Sequence, residues 1–148
     1  MNLNQAIQDA IGLVEDEVWR KGVKLRTDLA NDLSPVMGDR VQLQQVLLNL
    51  IKNGVEAMIT VEERARELVI KTQNDEGQVR VEVQDSGIGL HRETMQKIFE
   101  AFYSTKPGGM GMGLSISCSI VQNHGGRLRA TPNDGPGVTF QFTIPQYQ

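Results

Sequence analysis

The sequence predicts an α/β two-layer sandwich, in which a mixed, mainly antiparallel sheet carries helices on one face. Three observations lead to this fold class. Two long segments have apolar residues at the three- and four-residue spacing of amphipathic helices. Two pairs of alternating segments are separated by short turns, as in hairpins. Strands and helices do not form repeating βαβ units, so the long helices need one side of the sheet to bury their apolar faces.

The composition indicates a single domain over residues 1–148 and argues against several classes of function. A chain of 148 residues is long enough for a substantial core. Its formal net charge of −3 argues against nucleic-acid binding, because no excess of cations is available to neutralise a phosphate backbone. The single cysteine, Cys118, fits a reducing compartment, and no apolar run is long enough to span a membrane. We therefore expect a cytoplasmic protein without direct membrane contact.

The first part of the chain is predicted to hold two helices around one strand. Apolar residues recur at helical spacing over residues 4–20, and they alternate with polar residues over 23–29. Asp39, with Gln42 three residues later, resembles a capping box. It predicts the start of a second, mostly buried helix that reaches to about residue 63.

Three polar residues form one narrow stripe on this second helix. Asn49, Asn53 and Glu56 follow one another at i, i+4 and i+7. Amides and carboxylates need partners when they are buried. The stripe is therefore either an internal hydrogen-bonded network or solvated edge, or the wall of a ligand site in which amide oxygens bind a hard cation such as Mg²⁺. The residues alone give these interpretations equal weight.

The remaining elements are two hairpins and two further helices. Strands are predicted at 68–74 and 79–85, joined by a turn, and at 127–131 and 138–144. Residues 91–99 are predicted to form a short helix.

The strand predicted at 79–85 ends in a carboxylate, and two spaced glycines follow it. In the segment from Asp85 to Gly89, the Asp85 side chain can accept a hydrogen bond from a ligand amine that lies against bare backbone. A tight turn with an aspartate at its first position explains the same residues, and for this motif alone it is the favoured interpretation.

A glycine-rich segment precedes the last predicted helix. Four of the six residues from Gly108 to Gly113 are glycines, which permit backbone N–H groups to approach an anion closely. The run from Leu114 alternates like a strand, but its length and the stop at Gly125-Gly126 favour a helix, whose N–H groups would face the same anion. Lys106 lies just upstream, within reach of a terminal phosphate. The segment is therefore either a phosphate-closing lid or a flexible connector.

The order and spacing of these motifs resemble the catalytic ATP-binding domain of sensor histidine kinases over nearly the whole chain. That family belongs to a superfamily with DNA gyrase, the heat-shock chaperone ATPases and mismatch-repair ATPases, which share the Bergerat fold. The motifs that look like its N, G1, F and G2 boxes are Asn49-x3-Asn53-x2-Glu56-Ala57, Asp85-x-Gly87-x-Gly89, Phe99-x2-Phe102 and Gly109-x-Gly111-x-Gly113-Leu114. The stretch Ser104-Thr105-Lys106-Pro107 resembles the lid of kinases related to nitrogen-regulation sensors.

The resemblance implies a site for ATP and Mg²⁺. Asp85 is expected to bind the adenine amino group, and Asn53 is expected to coordinate Mg²⁺ with support from Asn49. Asn49 and Lys106 are the implied catalytic residues. The other residues implied at the nucleotide are Glu56, Ala57, Gly87, Ile88, Gly89, Phe102, Ser104, Thr105, Gly109, Met110, Gly111, Met112, Gly113, Leu114 and Thr139. The last of these lies in a motif where Val138 replaces the threonine that the family commonly has.

The resemblance also implies what this chain does not contain. The family's phosphoacceptor histidine is followed by an acidic residue, whereas His91 precedes Arg92 and His124 precedes Gly125. Both are expected to be solvent-exposed or capping histidines. The chain is therefore expected to donate the γ-phosphate of ATP to a histidine on a separate dimerisation domain and not to phosphorylate itself alone. That domain would pass the phosphate to a response regulator, and the resemblance leaves open a membrane-anchored parent sensor.

Two alternatives remain open for the function. One is a hydrolytic ATPase of the gyrase or chaperone type, but that branch places a general-base glutamate where this chain has Asn49. The other is a nucleotide-binding regulator or a serine kinase of the anti-sigma type.

Overall fold

The structure is a computed structural model that describes residues 1–89, 97 and 113–147. Its five strands lie in one sheet in the order β1-β2-β3-β5-β4. The strands are Val23–Asp28 (β1), Arg66–Asp75 (β2), Gln78–Asp85 (β3), Arg127–Pro132 (β4) and Val138–Pro145 (β5). The helices are Leu3–Arg20 (α1), Arg40–Met58 (α2) and Gly113–Asn123 (α3). The helix predicted at residues 91–99 lies outside the described residues, apart from Lys97.

The sheet is mixed and mainly antiparallel, as predicted. The β1–β2 pair is parallel, and the β2–β3, β3–β5 and β4–β5 pairs are antiparallel. Parallel neighbours need a crossover connection, which α2 supplies here. The β2–β3 connection consists of Glu76 and Gly77, whose φ angles are +49° and +83°. Positive φ at both central residues is typical of a two-residue hairpin turn of type I′.

The helices pack on one face of the sheet and form the core with it. Alternate residues of β3 and β5 are buried, as expected for strands with one covered face. Both α2 and α3 contact these central strands or their neighbours, and α1 packs against α2 and β1. The largest fully buried side chains come from α1, α2, the sheet and the segment before α2: Phe142, Ile7, Leu43, Leu47, Leu50, Ile51, Met58, Leu68, Ile70, Ile144, Val36 and Val46. This arrangement confirms the predicted two-layer sandwich.

The end of α2 differs from the prediction. The helix ends at Met58 and not near residue 63. The Arg66 side chain donates hydrogen bonds to the carbonyl oxygens of Ile59 (2.8 Å) and Val61 (3.0 Å). These two carbonyl groups are therefore bound by a side chain and not by the main-chain N–H groups that would continue the helix. A longer helix would also place the acidic pair at 62–63 at the negative end of its dipole, which is unfavourable. The prediction was therefore wrong at this end by about one turn.

His124 connects the end of α3 to the start of α2. Its Nε2 accepts a hydrogen bond from the Asp39 N–H (3.0 Å), and its Nδ1 lies 2.7 Å from the Ile120 carbonyl oxygen. Since Nε2 accepts, Nδ1 is the ring nitrogen that donates, to the Ile120 carbonyl oxygen. Asp39 itself caps α2, since its side chain accepts from the Gln42 N–H (3.0 Å). This confirms the capping role that was one of two expected for His124.

Within the part of the chain that the structure describes, no helix combines the length and the apolar character needed to cross a membrane.

The substitution His124→Ala is expected to lower the free energy of unfolding by about 1 kcal/mol, because it removes the hydrogen bond from the Asp39 N–H at the start of α2 and the one to the Ile120 carbonyl oxygen at the end of α3. Urea denaturation measures the change. Gln122→Ala, an exposed substitution on the same helix, is the matched control and is expected to change stability little. Equal stability of the two variants would show that the ring does not support the helix ends.

Candidate functional site

Most of the described candidate residues lie on α2 or contact it. The turn after β3 contacts α2, since the Ile88 N–H donates to the Ala57 carbonyl oxygen (3.3 Å). The start of α3 contacts α2 at Asn49, about two helical turns before Ala57. The predicted residues that lie outside the described part of the chain are Phe99, Phe102, Ser104, Thr105, Lys106, Gly109, Met110, Gly111 and Met112.

Asp85 is buried at the end of β3, with 4% of its surface exposed. Its carboxylate oxygen Oδ1 accepts hydrogen bonds from the Gly87 N–H (2.9 Å) and the Val138 N–H (3.3 Å). Burial raises the pKa of Asp85, and the two backbone hydrogen bonds lower it without cancelling that effect. Both bonds reach Oδ1, so the second oxygen of the same carboxylate has acceptor capacity for a ligand amine.

The turn after Asp85 is packed so closely that one of its glycines cannot be replaced. A Cβ atom on Gly87 would lie 2.7 Å from the Ala57 carbonyl oxygen on α2. The hydrogen bond that the Gly87 N–H donates to the Asp85 side chain is that of a tight turn with an aspartate at its first position. The turn interpretation of this motif is therefore confirmed, and the ligand interpretation stays a prediction that this bare backbone allows.

The β4–β5 loop forms a second wall beside Asp85. Gly137 has φ +97°, and a Cβ atom there would lie 2.1 Å from the Asp85 carbonyl oxygen. Only glycine fits both this conformation and this approach. The main chain of the loop therefore lies directly against the end of β3, where it can deliver the Val138 N–H to the buried carboxylate.

Asn49 bridges α2 and α3. Its Nδ2 donates to the hydroxyl of Ser117 (3.0 Å), which is fully buried, and to the Gly113 carbonyl oxygen (3.3 Å). Because its amide nitrogen is directed toward α3, the carbonyl oxygen Oδ1 points away from these two partners. Asn49 thus takes part in an internal network, as one interpretation of the stripe predicted.

Asn53 and Glu56 continue the stripe along α2 and are half-buried. An amide oxygen is a suitable ligand for Mg²⁺, which takes few protein ligands and shares the rest with water and phosphate. No group of three or more His, Cys, Asp or Glu residues that could hold a metal occurs among the described residues.

Two residues of the site were not predicted from the sequence. Arg64 donates to the carbonyl oxygens of Ser86 (3.0 Å) and Gly87 (2.7 Å), so its guanidinium group holds the turn after Asp85 from outside. Ser117 is the hydrogen-bond partner of Asn49. Apolar residues and serines alternate around it, a pattern typical of a strand, so the sequence did not indicate that Ser117 is buried. Its position four residues before Val121, which is buried, was the signal that could have placed it on the inner side of the helix.

Thr139 lies on the opposite face of the sheet from its buried neighbours Val138 and Phe140, because side chains alternate along β5. Its hydroxyl donates a hydrogen bond to Oδ1 of Asn133 (2.5 Å). A direct contact of Thr139 with a nucleotide stays a prediction.

Comparisons with known proteins agree with this geometry. Residues 38–148 match the family described as histidine kinase-, DNA gyrase B-, and HSP90-like ATPase. The sensor protein FixL of Bradyrhizobium diazoefficiens is 41% identical over 145 residues, which cover 97% of this chain and 28% of FixL. The catalytic domain of the histidine kinase ThkA superposes with a TM-score of 0.87 at 33% identity, covering 99% of this chain and 93% of that one. Full-length ShkA in complex with AMPPNP has a TM-score of 0.87 at 26% identity, covering 100% of this chain and 31% of ShkA.

The chain therefore belongs to the histidine kinase-, DNA gyrase B- and HSP90-like ATPase family. Within that family it is a catalytic ATP-binding domain of the sensor histidine kinase type, as the sequence motifs predicted. It spans roughly a quarter of the length of curated relatives such as FixL.

Asp85→Asn is expected to change how stability depends on pH. Burial raises the pKa of Asp85, so the folded protein binds this proton more tightly than the unfolded chain does. The free energy of unfolding of the parent should therefore fall as the pH rises from the ordinary aspartate pKa through the raised one, and Asp85→Asn lacks this contribution.

Urea denaturation at mildly acidic and neutral pH tests this expectation. The variant should gain stability relative to the parent toward neutral pH. Asp134→Asn, in the exposed part of the β4–β5 loop, controls for the loss of one surface charge. A stability difference between Asp85→Asn and the parent that is the same at both pH values would mean that burial does not perturb this carboxyl group.

Proposed function

We propose that this chain binds Mg·ATP and donates the γ-phosphate to a histidine on a separate dimerisation domain, as part of two-component signal transduction. The observation that carries the proposal is the buried Asp85 carboxylate, which two backbone N–H groups hold through one oxygen. Its second oxygen is available to accept the adenine amino group. The full-length ShkA structure with the adenine nucleotide AMPPNP supports nucleotide binding by a domain of this fold.

The residues of α2 would handle the phosphate end of the nucleotide. The amide oxygen of Asn53 would coordinate Mg²⁺, with Asn49 beside it on the same stripe. When bound, Mg²⁺ would neutralise phosphate charge, and phosphoryl transfer depends mostly on such neutralisation and on positioning. Lys106 is proposed as the cation that reaches the γ-phosphate, together with Thr105; both lie outside the described residues.

A relative in complex with a response regulator supports a proposal about the partners of this domain. ThkA has been seen in complex with the response regulator TrrA; that structure superposes with a TM-score of 0.84 at 30% identity and covers 99% of this chain and 41% of ThkA. We infer that the present domain serves a response regulator through its own dimerisation domain. A cytoplasmic location without nucleic-acid partners or direct membrane contact stays a prediction.

Hydrolysis is the weaker alternative. A hydrolytic enzyme needs a base that activates water, and the resemblance places that glutamate at position 49. The Asn49 amide is not a base at neutral pH, and its nitrogen donates to Ser117 and Gly113. This arrangement favours transfer to an acceptor over transfer to water.

Incubation with γ-labelled ATP tests the proposal. Label is expected to appear on a separately supplied histidine-containing hairpin domain, and not on this chain alone. Release of inorganic phosphate without an acceptor would instead identify a hydrolytic ATPase. ATP binding without transfer or hydrolysis would identify a regulatory module, and label on a serine of another protein would identify a serine kinase.

Asn53→Ala is expected to weaken binding of Mg·ATP by about tenfold and binding of metal-free ATP far less, because the amide acts through the cation. Titration calorimetry with Mg²⁺ and with a chelator measures both affinities. Asn123→Ala, an exposed asparagine at the end of α3, is the matched control. Equal losses in the two conditions would show that Asn53 supports the fold only.

A further inference from the structure

We propose that Asn133 is a positioning residue for Asp85, and that Thr139 acts through Asn133 and not by contact with the nucleotide. The inference rests on the proposed function, since it concerns the carboxylate that we assign to the adenine amino group. Asn133 lies in the loop between β4 and β5 and is none of the residues that the sequence motifs implicated.

Both ends of the Asn133 side-chain amide are hydrogen-bonded. Its Nδ2 donates to the carbonyl oxygens of Asp85 (2.8 Å) and Pro136 (3.0 Å). Its Oδ1 accepts from the Thr139 hydroxyl (2.5 Å), and its backbone N–H donates to the Gly137 carbonyl oxygen (3.2 Å). The side chain therefore closes its own loop and ties that loop to the last residue of β3.

This tie acts on two groups that position the Asp85 carboxylate, its own main chain and the Val138 N–H. The Asp85 carbonyl oxygen is bound directly, which fixes the main chain from which the carboxylate projects. The loop that Asn133 closes also carries the Val138 N–H, which lies 3.3 Å from Oδ1 and makes the longer of the two bonds to it. Because this bond is already long, a small outward shift of the loop would remove it.

Thr139 sets the orientation of the Asn133 amide. The two ends of an asparagine amide are similar in size, but only the nitrogen can donate to the Asp85 carbonyl oxygen. The Thr139 hydroxyl donates to the oxygen end, which leaves the nitrogen end directed toward β3. This gives Thr139 a role that is compatible with its place on the face of the sheet opposite Val138.

A purely structural role for Asn133 predicts a different result. If the residue only stabilises the loop, its loss should weaken all nucleotides alike. If it positions Asp85, its loss should weaken only nucleotides that have the amino group with which Asp85 pairs. Purine riboside triphosphate lacks this 6-amino group and otherwise matches ATP, so it separates the two cases.

The experiment measures the affinities of ATP and purine riboside triphosphate by titration calorimetry for the parent and four variants. Asn133→Ala is expected to bind ATP about tenfold more weakly and the analogue within about twofold of the parent. Thr139→Val should show a smaller loss with the same selectivity, and Thr139→Ser should restore the parental affinity. Thr143→Val, the same substitution on the same strand and face, is the control and should bind both ligands as the parent does.

A measurement without nucleotide makes the test independent of the proposed function. Carbon-13 NMR titration of the Asp85 carboxyl group should show a further rise of its pKa in Asn133→Ala, because the Val138 N–H no longer stabilises the charged form. If the parent does not bind ATP, the proposed function fails and this titration alone decides the positioning role. Equal losses for both nucleotides, or an unchanged Asp85 pKa in Asn133→Ala, would overturn the inference.

Discussion

The buried carboxylate of Asp85 is the constraint on which the rest of the site depends. A charge is costly to bury unless it is paired or hydrogen-bonded, and here the hydrogen-bonded partners are main-chain N–H groups from two separate segments. Those groups reach it only because Gly87 and Gly137 let α2 and the β4–β5 loop pack directly against the end of β3. The identity of these two glycines is therefore set by main-chain atoms, the Ala57 carbonyl oxygen beside Gly87 and the Asp85 carbonyl oxygen beside Gly137.

The second organising feature is the attachment of α3 to α2 at both ends. His124 joins the end of α3 to Asp39, and Asn49 joins its first turns to the middle of α2. The two helices thus run in opposite directions with fixed register. Asn49 also belongs to the polar stripe. Its hydrogen bonds therefore fix the position of the start of α3 relative to the residues proposed to bind Mg²⁺ and phosphate.

The periodic features of the fold were predictable from the sequence, and so were the motifs of the family. The spacing of apolar residues predicts helix α1, and turn residues predict both hairpins. The glycines that follow α3 favour its assignment as a helix. The features that the sequence did not predict are long-range bonds from side chains to main-chain carbonyl groups. Arg66 ends α2 in this way, Arg64 holds the turn after Asp85, and Asn133 holds Asp85 itself. Such bonds leave no period in the sequence, because a single residue makes each of them with a partner that only the folded chain brings near.

The order of the strands has a consequence for how this domain behaves at high concentration. Its two edge strands, β1 and β4, are each six residues long, whereas the three inner strands have eight or ten. Exposed charged side chains lie along both edges, with Lys24 and Arg26 on β1 and Arg127 and Arg129 on β4. Short, charged edges resist the pairing of one sheet with another, which is a common route to aggregation. The strand order that places Asp85 on a central strand therefore also disfavours hydrogen bonding between the edge strands of two molecules.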